Sequence, residues 1–383
     1  MKIGVLLPNS TTYPLISHNF MTGLKGSLAE LATALSPELL TASIGFGTDG
    51  VLMLKEAEIM LLDEKADLLI VFADHPTIEC LFPLINALKK LLIVVNSGAK
   101  YPPVKKQPFV IYHTLNYALH CRLIGKNAAK VSSKAVVATS YYDGGYSLCH
   151  AITKGYADEG SSVAFNFVSK FNAAEFDMEP LTSFLTSNHD VRHIMAVYSD
   201  LSPVFYERLA IEFPAIPLNI FVNPAMLEEL HLPEYGITNK EIVVSSYLPW
   251  AAQSATSGNV AYCNAFKSKT GRAPDAIGAL GWDTGALIIK YITVSLENSL
   301  FNTKQLLNEL LDAKIEGAKG TIYIDGNTHQ VFSPAYQVKL GAGNQLIIQD
   351  TVPLIEVLRE WTEIYDDPPQ GLVSGWINTY MCS

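Results

Sequence analysis

The sequence predicts an α/β protein of two lobes, each a mainly parallel sheet flanked by helices. Three observations carry that prediction. Short β-branched or leucine-rich runs alternate with longer amphipathic stretches, the pattern of parallel strands joined by crossover helices. A chain of 383 residues divides into about two to three folding units at roughly 150 residues each. The alternation breaks at Tyr101-Pro102-Pro103 with Pro108, and again at Tyr247-Leu248-Pro249-Trp250, turn-forming segments where the chain would cross between lobes.

The elements follow in order. Strands are predicted at 2–7, 40–46, 67–72 and 91–95, with helices near 18–35, 50–63 and 76–90. After the Pro-rich break come a helix at 114–130 and a strand at 134–138, and βα units continue through 145–231 with strands at 162–168, 193–198 and 218–222. A strand at 241–246 enters the second break. Helices at 257–270, 275–298 and 303–313 follow, then strands at 320–324, 334–340 and 345–350, the last pair joined by Gly341-Ala342-Gly343-Asn344. A third crossing is expected at 325–332. The expected division is therefore 1–113 with 250–328, 114–249 with 329–352, and an extension at 353–383. That extension has a helical pattern over 354–365 and then a segment with Trp376 and Tyr380; it is expected to brace a lobe, with contact to a partner as the alternative.

Composition excludes several classes. The formal charge is −10, and an acidic field repels phosphate backbones and anionic lipid, so nucleic acid is not an expected partner. With 49% apolar and 17% charged residues the chain is neither disordered nor a heptad repeat. Apolar runs such as 68–73 are far short of a membrane span. Lys2 runs at once into Ile3-Gly4-Val5-Leu6-Leu7-Pro8, a strand and not an export signal, so either the chain is cytoplasmic or it is a mature form with an added Met1. Five scattered cysteines without a C-x-x-C pair suggest neither a disulfide framework nor zinc. No metal and no cofactor are expected.

Gly45-Phe46-Gly47-Thr48-Asp49-Gly50 matches a dinucleotide-binding fingerprint, but it follows the second strand of the unit where the fingerprint needs the first. Thr48 and Asp49 read better as caps of the next helix. His189 and His193 have metal-ligand spacing, but the residues around them suggest a loop entering a strand. No nucleophile elbow, zinc-protease motif or phosphate loop is present, and no catalytic residue is assigned.

The informative residues lie at the carboxyl ends of the predicted strands, where open α/β sheets bind ligands. In the first lobe these are Asn9-Ser10-Thr11-Thr12-Tyr13, Asp74-His75-Pro76-Thr77 and Asn96-Ser97-Gly98-Ala99-Lys100. In the second they are Ser140-Tyr141-Tyr142-Asp143-Gly144-Gly145-Tyr146, Tyr198-Ser199-Asp200 and Asn223-Pro224. Tyr247 and Trp250 sit on a crossing. Hydroxyls and helix-start N–H groups suit a carboxylate or amide, and Tyr13, Tyr146, Tyr198 and Tyr247 are expected among the apolar walls.

Residues 2–350 resemble the type I periplasmic binding proteins, in the leucine/isoleucine/valine-binding group of ABC-transporter solute receptors. The resemblance rests on 3–8 with Thr22-Gly23-Leu24, on 72–102, on Lys269-Thr270-Gly271-Arg272-Ala273-Pro274-Asp275-Ala276, and on the stretch from Gly317 to Gln330. It implies two Rossmann-like lobes joined by a multi-strand hinge, closing on a small ligand that is then presented to an ABC permease from the periplasm. It also implies a monomer or weak dimer without enzymatic activity. A cytoplasmic sensor of amides with the same fold, acting as a regulator, is the alternative, and an enzyme with its site in the same cleft is a third, less favoured reading. By position, Thr77 matches the family's hydroxyl site, and Gly98, Ala99 and Lys100 its small-residue loop. Ser10, Tyr13, His75, Tyr142, Asp143, Tyr146, Tyr198, Asn223 and Tyr247 complete the expected ligand-binding set. The family's amino-acid binders carry Thr or Ser where Lys100 stands, and an acid near Asn223. These departures leave room for amides, aromatic acids or other anions, with Asp143, Asp200 and Asp283 as alternative polar partners.

Overall fold

Residues 68–72 and 91–96 are buried along their whole length, as central strands covered by helices on both faces must be. They belong to a succession of β1 (Lys2–Leu7), α1 (Ile16–Leu28), β2 (Glu38–Ser43), α2 (Gly50–Glu58), β3 (Leu68–Phe72), α3 (Phe82–Leu88), β4 (Leu91–Asn96) and β5 (Val110–Thr114). These five strands make one parallel sheet in the order β2-β1-β3-β4-β5. The computed structural model describes the chain apart from residues 102–104, 171, 215, 229–231, 233–239, 312, 369–379 and 382–383.

The chain then passes into α4 (Tyr117–Ala129), β6 (Lys134–Ser140), α5 (Ser147–Asp158), β7 (Ser162–Ser169), α6 (Glu179–Ser187), β8 (His193–Val197), α7 (Ser202–Glu212), β9 (Leu218–Val222) and β10 (Ile242–Leu248). It returns to pack α8 (Ser257–Thr270) and α9 (Ala276–Glu297) on α1, followed by α10 (Thr303–Leu311). The rest is β11 (Ile315–Gly317), β12 (Gly320–Ile324), β13 (Val331–Phe332), β14 (Ala335–Leu340), β15 (Leu346–Val352) and α11 (Leu354–Asp366). The second sheet runs β15-β14-β10-β9-β8-β6-β7, parallel from β10 to β7, with β14 and β15 antiparallel at one edge. A small antiparallel sheet, β11-β12-β13, lies between the passages.

Three connections join the two large sheets, after Thr114, after Leu248 and before Ala335. Two of them are tied together. The Tyr112 N–H donates to the His329 carbonyl at 2.9 Å, and Asn116 Nδ2 donates to the Val331 carbonyl at 2.9 Å. Several expectations need adjustment. The Pro-rich break leads into β5, a buried fifth strand that was not expected, and the chain leaves the first sheet after Thr114. The helix predicted at 18–35 stops at Leu28, and the one at 76–90 divides into a tight 3₁₀ turn, Thr77–Leu81, and α3. Asp49 caps α2 by accepting from the N–H groups of Val51 and Leu52 at 2.9 and 3.1 Å, the cap expected in place of a nucleotide loop. His193 opens β8, in line with the expected loop entering a strand.

Close helix packing holds the first lobe. A Cβ added to Gly281 of α9 would sit 2.0 Å from the Phe20 carbonyl oxygen of α1, so only glycine permits this approach. The helix α11 packs against α4 and β13. Arg122 on α4 pairs with Asp158 (2.8 Å), Glu360 (3.2 Å) and Glu363 (2.6 Å), and Trp361 packs on Phe332. No helix among the described residues is long and apolar enough to cross a membrane. Four of the described cysteines, Cys80, Cys121, Cys149 and Cys263, are free.

Candidate functional site

The strand ends of the two sheets face each other, and a two-residue piece of the chain lies between them. Tyr380 and Met381 are each only 1% exposed. The Tyr380 N–H donates to Asp74 Oδ2 at 3.3 Å, on the first-lobe loop after β3. Its phenol donates to Asp143 Oδ1 at 2.8 Å, on the second-lobe loop after β6. Its ring meets Tyr146 edge to face at 4.7 Å between centroids. The Met381 carbonyl accepts from the Ser10 hydroxyl and, at 3.4 Å, from that of Thr12. A polar and aromatic group thus touches both lobes at once.

The walls are themselves organised. Asp143 is fully buried; Ser140 Oγ donates to its Oδ2 at 2.5 Å while accepting the Asp143 N–H at 2.9 Å. Burial pushes the Asp143 carboxyl up to about 6, the Ser140, Ser199 and Tyr380 hydroxyls draw it back, and the Asp200 charge raises it further. Tyr142 and Tyr146 meet through their hydroxyls at 3.0 Å. Lys100 Nζ donates to the His75 carbonyl at 2.8 Å and lies 5.7 Å from the Tyr146 ring centroid. Burial lowers the Lys100 pKa while the Asp74 charge opposes that; burial raises Asp74 against the pull of Lys100.

Among the sequence-predicted residues, the structure brings together Ser10, Lys100, Tyr142, Asp143 and Tyr146, with His75 beside them through its backbone. Tyr13 is buried and bonds through its hydroxyl to Glu228, which also accepts from the Tyr117 hydroxyl. The other residues are engaged locally, though Gly98 also lines a cavity with Asp74, His75 and Lys100. Thr77 opens the 3₁₀ turn on the α2 side, its methyl 3.9 Å from where a Cβ on Gly50 would stand. The loop carbonyls of Gly98 and Ala99 accept from Ala118 at 2.8 Å and Ser147 at 3.2 Å, capping the starts of two second-lobe helices. The Gly98 N–H goes to Asn96 Oδ1 at 2.8 Å, and its φ of +69° suits glycine. Tyr198 stacks on Phe205 in the second-lobe core. Asn223 is spent on the Tyr198 carbonyl (2.9 Å) and the Ala225 N–H (2.8 Å). Tyr247 sits on β10 opposite Gln337 of β14. Asp200 is exposed, while Asp283 is buried 4.0 Å from Lys319 Nζ.

Three participants escaped the sequence reading: Tyr380, Met381 and Glu228. Glu228 stands five residues beyond Asn223, where an acid had been expected and an amide found. Burial raises its pKa to about 7, the Asp275 charge adds to that, and the Tyr117 and Tyr13 hydroxyls oppose it. Its signal was the acidic pair Glu228-Glu229 just after the Pro224–Leu227 turn. No group of three or more potential metal ligands occurs among the described residues.

A sequence profile described as "Periplasmic binding protein" matches residues 1–345. No curated protein sequence matches the chain. Solved structures share the fold at low identity. A solute-binding protein of an ABC transporter from Rhodopseudomonas palustris, in complex with p-hydroxybenzoic acid, has a TM-score of 0.72 at 16% identity, covering 92% of this chain and 97% of that one. A leucine-binding protein from Thermotoga maritima gives 0.66 at 15%, covering 93% and 99%. A branched-chain amino acid ABC transporter ligand-binding protein from Burkholderia xenovorans gives 0.74 at 12%, covering 95% and 98%.

Proposed function

Because the chain belongs to the periplasmic binding protein family, we propose that it is a receptor that captures a small polar solute, an amino acid or related carboxylate or amide, between its lobes and presents it to an ABC-type transporter. The observation that carries this reading is the simultaneous contact of one small element with Ser10 and Asp74 on one side and Asp143 and Tyr146 on the other. A ligand that meets both lobes only when they are closed shifts the hinge equilibrium by its extra contacts in that state. Binding, not turnover, is the work of such a site.

The ligand-binding set in this reading is Ser10, Tyr13, Asp74, Lys100, Tyr142, Asp143, Tyr146 and Glu228. The lobes are 1–113 with 250–328 and 114–249 with 329–352, and the working place is the periplasm. The structural neighbours bind either p-hydroxybenzoic acid or, by name, leucine and branched-chain amino acids, and both ligand types pair a carboxylate with an apolar body. The free thiols favour a second reading, a cytoplasmic amide sensor of the same fold, which cell fractionation distinguishes. A thermal-shift screen of amino acids, amides and hydroxybenzoates, followed by solution scattering, tests the receptor. A hit that raises the melting temperature and reduces the radius of gyration is expected; stability and shape indifferent to every compound would overturn it.

A further inference from the structure

What already lies in the cleft points to the ligand class. We propose that Tyr380 is a tethered ligand, that the cleft recognises a 4-hydroxyphenyl group joined by two carbons to an N–H donor, and that a free solute of this class enters by displacing Tyr380 and Met381. This inference rests on the receptor reading above and makes it more specific.

Tyr380 and the cleft match group for group. From its backbone nitrogen through Cα and Cβ to its phenol, Tyr380 contains the skeleton of tyramine, and each end of that skeleton meets a buried carboxylate. The nitrogen donates to Asp74 and the hydroxyl to Asp143. These carboxylates are 1% and 0% exposed. An aliphatic side chain in the same place would leave Asp143 Oδ1 without its phenol donor, and an unmet buried acceptor is costly. A site built around a ligand hydroxyl therefore discriminates far more strongly against the analogue lacking it than an apolar pocket does against a missing methylene. Tyr146 supplies the aromatic edge contact, and Tyr142 holds Tyr146 in place. The Met381 carbonyl adds the acceptor that Ser10 and Thr12 satisfy, so a tyrosyl dipeptide reproduces the whole set.

Tethering has a measurable consequence. A competitor that is part of the same chain acts at an effective concentration and not at a bulk one, so it weakens the apparent affinity for any free molecule needing the same contacts. Isothermal titration of the full chain and of its Tyr380→Ala and Tyr380→Phe variants, with tyramine, tyrosyl-methionine, phenethylamine and leucine, tests the idea. The expected result is that Tyr380→Ala binds tyramine and tyrosyl-methionine at least tenfold more tightly than the unaltered chain, and phenethylamine about a hundredfold more weakly than tyramine. Tyr380→Phe, which keeps the ring and its packing, is expected to fall between the two and serves if the alanine variant unfolds. In the unaltered chain carrying 3-fluorotyrosine at 380, saturating tyramine is expected to move the fluorine resonance to its solvent-exposed position. Equal affinity of the unaltered chain and both variants for tyramine would overturn the tether. Binding of leucine or phenethylamine as tightly as tyramine would overturn the ligand class and leave the receptor reading standing, whereas no binding of any solute by any form would remove both.

Discussion

Replacing Asp143 by Asn tests the electrostatics of the cleft. The carboxylate is fully buried among the Ser140, Ser199 and Tyr380 hydroxyls, with the Asp200 charge nearby. Burial is the largest influence and raises its pKa from 3.8 to about 6. A difference of roughly two units, at 1.36 kcal/mol each, corresponds to about 3 kcal/mol. The folded carboxyl holds its proton more tightly than the unfolded one. Its contribution to stability is therefore complete below about pH 4 and is lost as the pH rises through about 6. Asparagine has the same shape, can still accept from a hydroxyl, and does not titrate. Urea unfolding of both proteins across this window is expected to show the variant gaining about 2–3 kcal/mol on the unaltered chain between about pH 4 and pH 8. A stability difference that stays flat within roughly 0.5 kcal/mol over that range would refute the reasoning, because the Asp143 proton would then be held no more tightly in the fold than out of it.

Changes at three further places test the packing. Asp283→Ala leaves Lys319 buried without the carboxylate 4.0 Å away, which is expected to cost about 3–5 kcal/mol in urea unfolding; the paired change Asp283→Asn with Lys319→Met is expected to cost less than that single one. Gly281→Ala places a methyl 2.0 Å from the Phe20 carbonyl and is expected to destabilise by about 2–3 kcal/mol through separation of α1 from α9, read as a lower melting temperature. Arg122→Ala removes the partner of Asp158, Glu360 and Glu363, so hydrogen exchange is expected to accelerate in α11 while β8 and β9 stay protected.

How much of this was legible in the sequence depends on how local each signal is. The buried strands β3 and β4 announce themselves as unbroken apolar runs, and the junction of α8 and α9 by the Gly271 stop and the Asp275 cap on either side of it. The strand β5 did not, because five residues between Pro108 and the α4 helix carry too little pattern to separate from a loop. Site residues divide the same way. Ser10, Lys100, Asp143 and Tyr146 stand at strand ends, where βα topology alone directs polar groups to the cleft. Tyr198, Asn223 and Thr77 stand at strand ends too, yet each is used locally, for core stacking, for a turn, or for contact with the neighbouring helix. Residue type and position cannot separate a cap from a ligand contact, since both need the same hydroxyl or amide. Tyr380 reaches Asp74 across 306 positions of sequence, and a contact at that distance leaves no periodicity to read. Its phenol nonetheless satisfies the carboxylate that the strand-end argument had already placed in the cleft. The topology could specify that Asp143 needs a donor there, and only the assembled chain could supply which donor it takes.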